Sequence, residues 1–158
     1  MNALPAPADR VRAAAEALGL EIDIRTMPAS TRTAAEAAAA CGCAVGQIVK
    51  SLIFRGRDTG RPHLLLVSGS NRVHEEAVAA HIGEALVRPD AGYVREVTGF
   101  AIGGIPPLGH TSRLPTWLDR DLLAYDVVWA AAGTPNAVFP VPPDRLRSAT
   151  GATVIPVG

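Results

Sequence analysis

Lys50 is the only lysine in the chain; every other basic residue is arginine. It interrupts a run of large apolar side chains, "GQIVKSLIF", residues 46–54. The run has the aliphatic and β-branched content of a strand, in which successive side chains point to opposite faces. Lys50 then shares a face with Ile48, Leu52 and Phe54, while Val49, Ser51, Ile53 and Arg55 share the other. Burying an unpaired ammonium costs several kcal/mol, so the position needs an anion, a carbonyl cage or water. A compact point charge suits a phosphate or a polarised carbonyl in a narrow pocket, where a planar guanidinium fits poorly. A lysine that snorkels to solvent at a strand end, or pairs with a carboxylate, is the plain structural alternative.

The second stretch with chemical potential is "GFAIGGIPPLGH", residues 99–110. Its glycines let backbone approach a ligand and expose N–H groups, and the diproline stiffens the C-terminal half of the loop. Such a loop can offer donors to an oxyanion or to a terminal nucleotide. Of the four histidines only His110 sits in it; His63 begins a strand, and His74 and His81 fall at the two ends of a helix. His81 reads as a half-buried helix residue. There is no G-x-S-x-G elbow, no H-E-x-x-H pair and no Walker lysine loop. Cys41 and Cys43 form a lone C-x-C with no second Cys/His pair to complete a zinc site, so they read as small apolar residues closing a helix. Neither a metal nor a cofactor is expected.

Composition bounds the classes that remain. The chain has 158 residues and zero formal net charge, enough for one domain with one substantial core. A neutral protein does not find nucleic acid unaided, since non-specific affinity comes mainly from neutralising phosphates. A nucleic-acid substrate delivered by a partner, or gripped only at its end, stays open; DNA is not expected. Arg55, Arg57 and Arg61 cluster in "FRGRDTGRPH", which reads first as a solvated hairpin tip and second as a phosphate-contacting patch. No apolar run approaches the ~18 to 20 residues of a membrane span. The start, "MNALPAPADR", shows no secretory signal pattern. A cytoplasmic protein with a loose tail over residues 1–7 is the expectation.

The elements that must position these residues alternate at short intervals. "ADRVRAAAEALG" has helical spacing and stops at a glycine. "EIDIRTM" alternates as a half-buried strand, and Thr33 with Glu36 has capping-box spacing for a second helix. "GQIVKSLIFRG" and "PHLLLVSGS" should pair as a hairpin. Ser70 is placed to cap a helix carrying Val73, Ala77, Val78 and His81 on one face, and Asp90 to cap "AGYVREVTG". Strands come next in "EALVRP", "PTWLD", "DVVWAAAG", "NAVFPV" and "ATVIPV", with a short helix in "PDRLRSATG". Hairpins outnumber clean βαβ crossovers. The expected fold is therefore mixed α/β: a curled, largely antiparallel, barrel-like sheet flanked by helices.

Taken in order, "STRTAAEAA", "GQIVKSLIF", "LLLVSGSNRV", "VREVTGFAIGGIPPLGH", "TWLDRDLLAYDVVWAAAGTPNAVF" and "PDRLRSATGA" resemble the YbaK/ProX family. These are freestanding relatives of the editing domain inserted in bacterial prolyl-tRNA synthetases. The resemblance runs from about Ser30 to Thr150 and implies a single editing domain over residues 1–158. It implies an aminoacyl-tRNA deacylase that acts in trans by substrate-assisted water attack. Aminoacyl-tRNA, chiefly tRNA-Pro, is the implied substrate, and prolyl-tRNA synthetase a candidate partner. The family's lysine matches Lys50 and its glycine/proline loop matches residues 103–109, so Lys50, Gly103 and Gly104 are the implied catalytic positions. The implied substrate contacts are Ser51, Ser68, Gly69, Asn71, Ile105, Pro106, Pro107, Gly109, His110, Gly133 and Thr134. The later region holds no histidine, which the synthetase-inserted domains carry. "RTMPASTRT" also lacks the histidine–proline step of the alanine-specific branch. The amino acid removed therefore stays open among cysteine, alanine, serine and related small residues. A non-catalytic module holding a tRNA end, a nucleotide or an adenylate-like ligand is the alternative, with a hydrolase of other activated esters behind it.

Overall fold

The computed structural model describes residues 4–158. Met1 and Asn2, at the start of the expected tail, lie outside the described residues. Ala6 and Pro7, expected in the tail, lie in a helix. Helix α1 (Ala6–Ala17) begins with Pro7 in its first turn, where proline's missing N–H costs nothing. Its inner face, Ala8, Val11 and Ala15, is fully buried, which draws the chain into the core from residue 8 onward.

After α1 the alternating segment yields only a short strand, β1 (Arg25–Thr26); Ile22 and Ile24 still pack on the core. Helix α2 (Ala34–Cys41) starts as its capping box requires. The Glu36 N–H donates to Thr33 Oγ1 at 3.1 Å, and the Thr33 N–H donates to Glu36 Oε1 at 3.2 Å. Strands β2 (Ile48–Gly56) and β3 (Pro62–Ser68) form the expected antiparallel hairpin, with Lys50 opposite Val67 and Ser51 opposite Leu66. Helix α3 (Glu75–Ile82) begins later than expected. His74, not Ser70, precedes its first turn, and no side chain caps it. Ser70 Oγ lies 3.2 Å from Ser68 Oγ instead. On this helix only Val78 is buried, whereas Ala77 and His81 face outward. The short β4 (Leu86–Val87) leads to α4 (Ala91–Thr98), capped by Asp90 as anticipated. Then come β5 (Thr116–Asp119), a 3₁₀ turn over Arg120–Ala124, β6 (Val128–Ala131), β7 (Ala137–Val141), α5 (Pro143–Thr150) and β8 (Thr153–Ile155).

The strands form one mixed sheet in the order β1-β7-β6-β2-β3-β5-β8, with β4 also on β2. Four pairings are antiparallel and three are parallel: β2 with β6, β3 with β5, and β5 with β8. Parallel partners are joined by long crossovers, which leave no local sequence signal, so the parallel share exceeds what the hairpins suggest.

The central hairpin separates two cores. Val49, Ile53, Leu64 and Leu66 face the larger one, with α1, Leu118 and Phe139. Phe54, Leu65 and Val67 face a smaller one closed by Val78 of α3. Residues 64–67 are all at most 1% exposed, and burying each is worth about 1.5–3 kcal/mol. That makes β3 a rigid base against which β2 is paired along its length. Among the described residues no helix is long and apolar enough to cross a membrane.

Candidate functional site

Strand β2 is flanked by β3 along its whole length but only at its ends on the other side. There β6 pairs as far as Val49, and β4 begins at Arg55. Residues 50–54 thus have a strand neighbour on one edge only, and the sheet forks around them.

A cleft of about 770 Å³ occupies this fork. Residues 48–54 form its floor, and Trp129 and Ala130 of β6 stand on one side. Residues 31–34, leading into α2, and Gly103, Gly104 and Ile105 close over it. Arg72 and Arg88 complete the rim. The lining holds four cations, Arg32, Lys50, Arg72 and Arg88, and no carboxylate, histidine or cysteine. A cleft so built favours an anionic ligand.

Lys50 is half-buried, with its Nζ donating to the main-chain oxygen of Asn71. Burial pushes its pKa down, the charge of Asp119 pushes back up, and nearby Arg72 adds to the lowering. Asn71 is itself clamped: its Nδ2 donates to Asp119 Oδ2 and to Asp121 Oδ2, each at 2.8 Å. Asp119 is fully buried and also accepts from the N–H groups of Ser68 and Asp121, both at 3.0 Å. A buried carboxylate persists only when so satisfied. Sequence reasoning misses this support for Lys50. The available signal is an aspartate ending an apolar strand, with a second one two residues on, in "TWLDRDLL".

Ser51 stands on the opposite face of β2. Its Oγ is the one buried side-chain polar atom without a hydrogen-bond partner among the described residues.

The glycine loop is braced by the turn before β7. A Cβ on Gly104 would lie 2.7 Å from the main-chain carbon of Thr134, so only glycine fits there. The Gly133 N–H donates to Gly104 O at 2.9 Å, while Thr31 donates from N and Oγ1 to Pro135 O at 2.8 and 2.9 Å. Gly103, at φ +107°, turns the chain over Arg32.

Of the residues expected from sequence, Lys50, Ser51, Gly103, Gly104 and Ile105 meet in the cleft. Asn71 accepts from Lys50, Ser68 donates its N–H to the same Asp119 that Asn71 binds, Gly69 donates to Ile48 O, and Gly133 and Thr134 lie behind Gly104. Pro106, Pro107, Gly109 and His110 are outside the lining. A Cβ on Gly109 would meet Ala14 and Val11 of α1. His110 Nε2 lies 2.7 Å from Pro106 O, and burial pushes its pKa below the usual histidine range. Burial also drives the Cys41 thiol up to about 11, away from the range of an activated thiolate.

A neutral mixed α/β domain whose cleft carries four cations and no carboxylate, histidine or cysteine defines a class that binds an anionic substrate. Comparison with known proteins names it. Residues 28–149 match the aminoacyl-tRNA editing domain. The chain belongs to that family, whose YbaK-type members are aminoacyl-tRNA deacylases. It is 49% identical, with a TM-score of 0.92 and 98% of both chains covered, to the crystal structure of a proposed trans-editing enzyme for prolyl-tRNA synthetase. A second crystal structure, of the hypothetical protein APE2540, is 33% identical with a TM-score of 0.84, over 90% of this chain and 95% of that one. The proposed Cys-tRNA(Pro)/Cys-tRNA(Cys) deacylase EbsC of Enterococcus faecalis (strain ATCC 700802 / V583) is 26% identical over 69% of this chain and 66% of its own length. The uncharacterized protein YwhH of Bacillus subtilis (strain 168) is 28% identical over 80% of each chain.

Proposed function

We propose that this deacylase works in trans on tRNA-Pro carrying a wrong, small amino acid, as the names of two relatives suggest for those proteins. The observation that carries the reading is the cleft's charge: four cations and no carboxylate, histidine or cysteine. An aminoacyl ester is already activated, so its hydrolysis needs a positioned water and a stabilised oxyanion rather than an enzyme nucleophile.

In this reading Lys50 anchors the terminal nucleotide, and Arg32, Arg72 and Arg88 meet the phosphates behind it. The loop at Gly103 and Gly104 closes over the ester. The 2′-hydroxyl of the terminal adenosine orients the attacking water, whose oxygen bonds to the carbonyl carbon. The bond from that carbon to the ribose 3′-oxygen then breaks, the ribose oxygen takes up a proton derived from the water, and the free amino acid leaves. Apolar walls exclude large side chains by clash, which discriminates better than the ~1–3 kcal/mol that one methylene provides. A neutral protein gains little from bulk tRNA phosphates, so prolyl-tRNA synthetase is the natural supplier of tRNA affinity in the cytoplasm.

The test is loss of label from tRNA-Pro charged in turn with cysteine, alanine, serine and proline. Turnover of at least one mischarged species with prolyl-tRNA spared is expected. Tight binding of charged tRNA with every ester intact would transfer the site to a non-catalytic holding role.

A further inference from the structure

The fork in the sheet leaves a specific set of main-chain groups open. The Gly69 N–H donates to Ile48 O at 2.7 Å, and the Gly56 N–H donates to Arg61 O at 2.8 Å. The even-numbered members of β2 therefore point both backbone groups at β3. In an antiparallel ladder the alternate residues point both groups the other way. Val49 meets β6 and Arg55 meets β4, but the N–H and C=O of Ser51 and Ile53 point into the cleft. Unpaired strand edges are normally covered or blunted. This one is recessed between two strands, next to the orphan hydroxyl of Ser51.

We propose that the aminoacyl group docks on this edge as a one-residue strand, directly opposite Ser51. A hydrogen-bonded antiparallel pair needs one N–H and one C=O from a single residue on each side, and an amino acid esterified to ribose has both. The Ser51 N–H donates to the ester carbonyl oxygen, and the substrate's α-amino group donates to the Ser51 C=O. The same N–H then faces the negative charge that builds on the carbonyl oxygen as water attacks, a stabilisation greater in the transition state than in the ground state.

The docking also fixes where the substrate side chain goes. Side chains of directly opposed residues stand on the same face, with Cβ atoms roughly 5 Å apart. An L-amino acid thus places its side chain beside Ser51, among Val49, Ile53, Ile105 and Ala130. A D-amino acid would send it toward the Lys50 face. Because Ser51 Oγ has no existing partner, it gives up no bond in turning to a ligand. The site therefore selects small L side chains that bear a hydroxyl or thiol.

This inference rests on the deacylase reading but is tested separately. The probe is the seryl amide of 3′-amino-3′-deoxyadenosine, which cannot hydrolyse as an ester, titrated into the 15N-labelled full chain. The Ser51 amide proton should shift downfield, while that of Leu52, bonded to β3, stays. The analogue lacking the α-amino group should bind at least ~10-fold more weakly. An unmoved Ser51 amide at saturation, equal binding of the two analogues, or no binding at millimolar concentration would overturn the docking. In turnover, Ser51→Ala should lower the preference for seryl- over alanyl-tRNA about fivefold, the worth of one hydrogen bond, with an otherwise native amide spectrum. An unchanged preference in that folded variant would remove Ser51 from selection. If wild type hydrolyses no charged tRNA, the deacylase reading fails, and the titration still decides the docking.

Discussion

Asn71 offers its side-chain Nδ2 to Asp119 Oδ2 at 2.8 Å while its main-chain oxygen accepts from Lys50 Nζ. The only lysine is thereby tied, through one asparagine, to a fully buried carboxylate that also holds the ends of β3 and β5. Asp119 touches no cleft surface and acts by positioning. Asp119→Asn should therefore lower kcat/KM about tenfold or more and raise KM. Its alkaline limb should move to lower pH, because the charge that raises the Lys50 pKa is gone. Asp119→Ala strands the Ser68 and Asp121 N–H groups and should destabilise the fold by about 1–3 kcal/mol, measured by urea unfolding.

Lys50 costs the fold something. Burial pushes its pKa down, which means the folded state disfavours the charged form. The penalty is present below the folded-state pKa and fades as pH rises toward the unfolded-state value. Lys50→Met should abolish turnover yet melt at or a few degrees above wild type near pH 7, with the gap narrowing at alkaline pH. A variant that melts far below wild type would show the ammonium to be a structural prop.

Gly104 is the tightest point of the loop. Gly104→Ala puts a methyl 2.7 Å from the Thr134 main chain, so the loop must lift from its brace. We expect turnover to fall at least ~10-fold, with a stability loss of about 1–3 kcal/mol, read by single-turnover kinetics and thermal melts. Gly103→Ala, whose Cβ would meet only the flexible Arg32 side chain, is strained by its φ rather than by a clash.

Acid should loosen the far end of the hairpin. Glu84 accepts from the Thr59 N–H at 3.1 Å and from the Thr59 hydroxyl, and lies 3.1 Å from His63 Nε2. Those Thr59 bonds first, then the His63 contact, hold its pKa at about 2, below the ordinary 4.5. A carboxylate held low stabilises the fold above its unfolded-state value and loses that contribution as pH falls toward 2. The melting-temperature advantage of wild type over Glu84→Gln should therefore shrink between pH 4.5 and 2. A constant difference across that range would contradict the assignment.

What the sequence could show was local. The Thr33–Glu36 box, the Asp90 cap and the β2–β3 hairpin all depend on residues close in the chain, and each stands where its spacing puts it. Lys50 and the loop at Gly103 and Gly104 are legible as odd chemistry in apolar or glycine-rich surroundings. The fork is not, because it arises from β6 and β4 reaching opposite ends of β2 from distant parts of the chain. Ser70 has the spacing of a cap without being one, because its competing partner, Ser68, binds across a turn that spacing alone does not define. Asp119 and the orphaned Ser51 hydroxyl become visible only once the pairing register is known.

The most direct test is single-turnover hydrolysis of mischarged tRNA-Pro by wild type and by Lys50→Ala, with prolyl-tRNA-Pro alongside. Rapid loss of at least one small non-cognate amino acid is expected, with prolyl-tRNA spared and the variant slower by about 100-fold or more. Equal rates in the two proteins would contradict the assignment of this cleft as the place where the ester is cut.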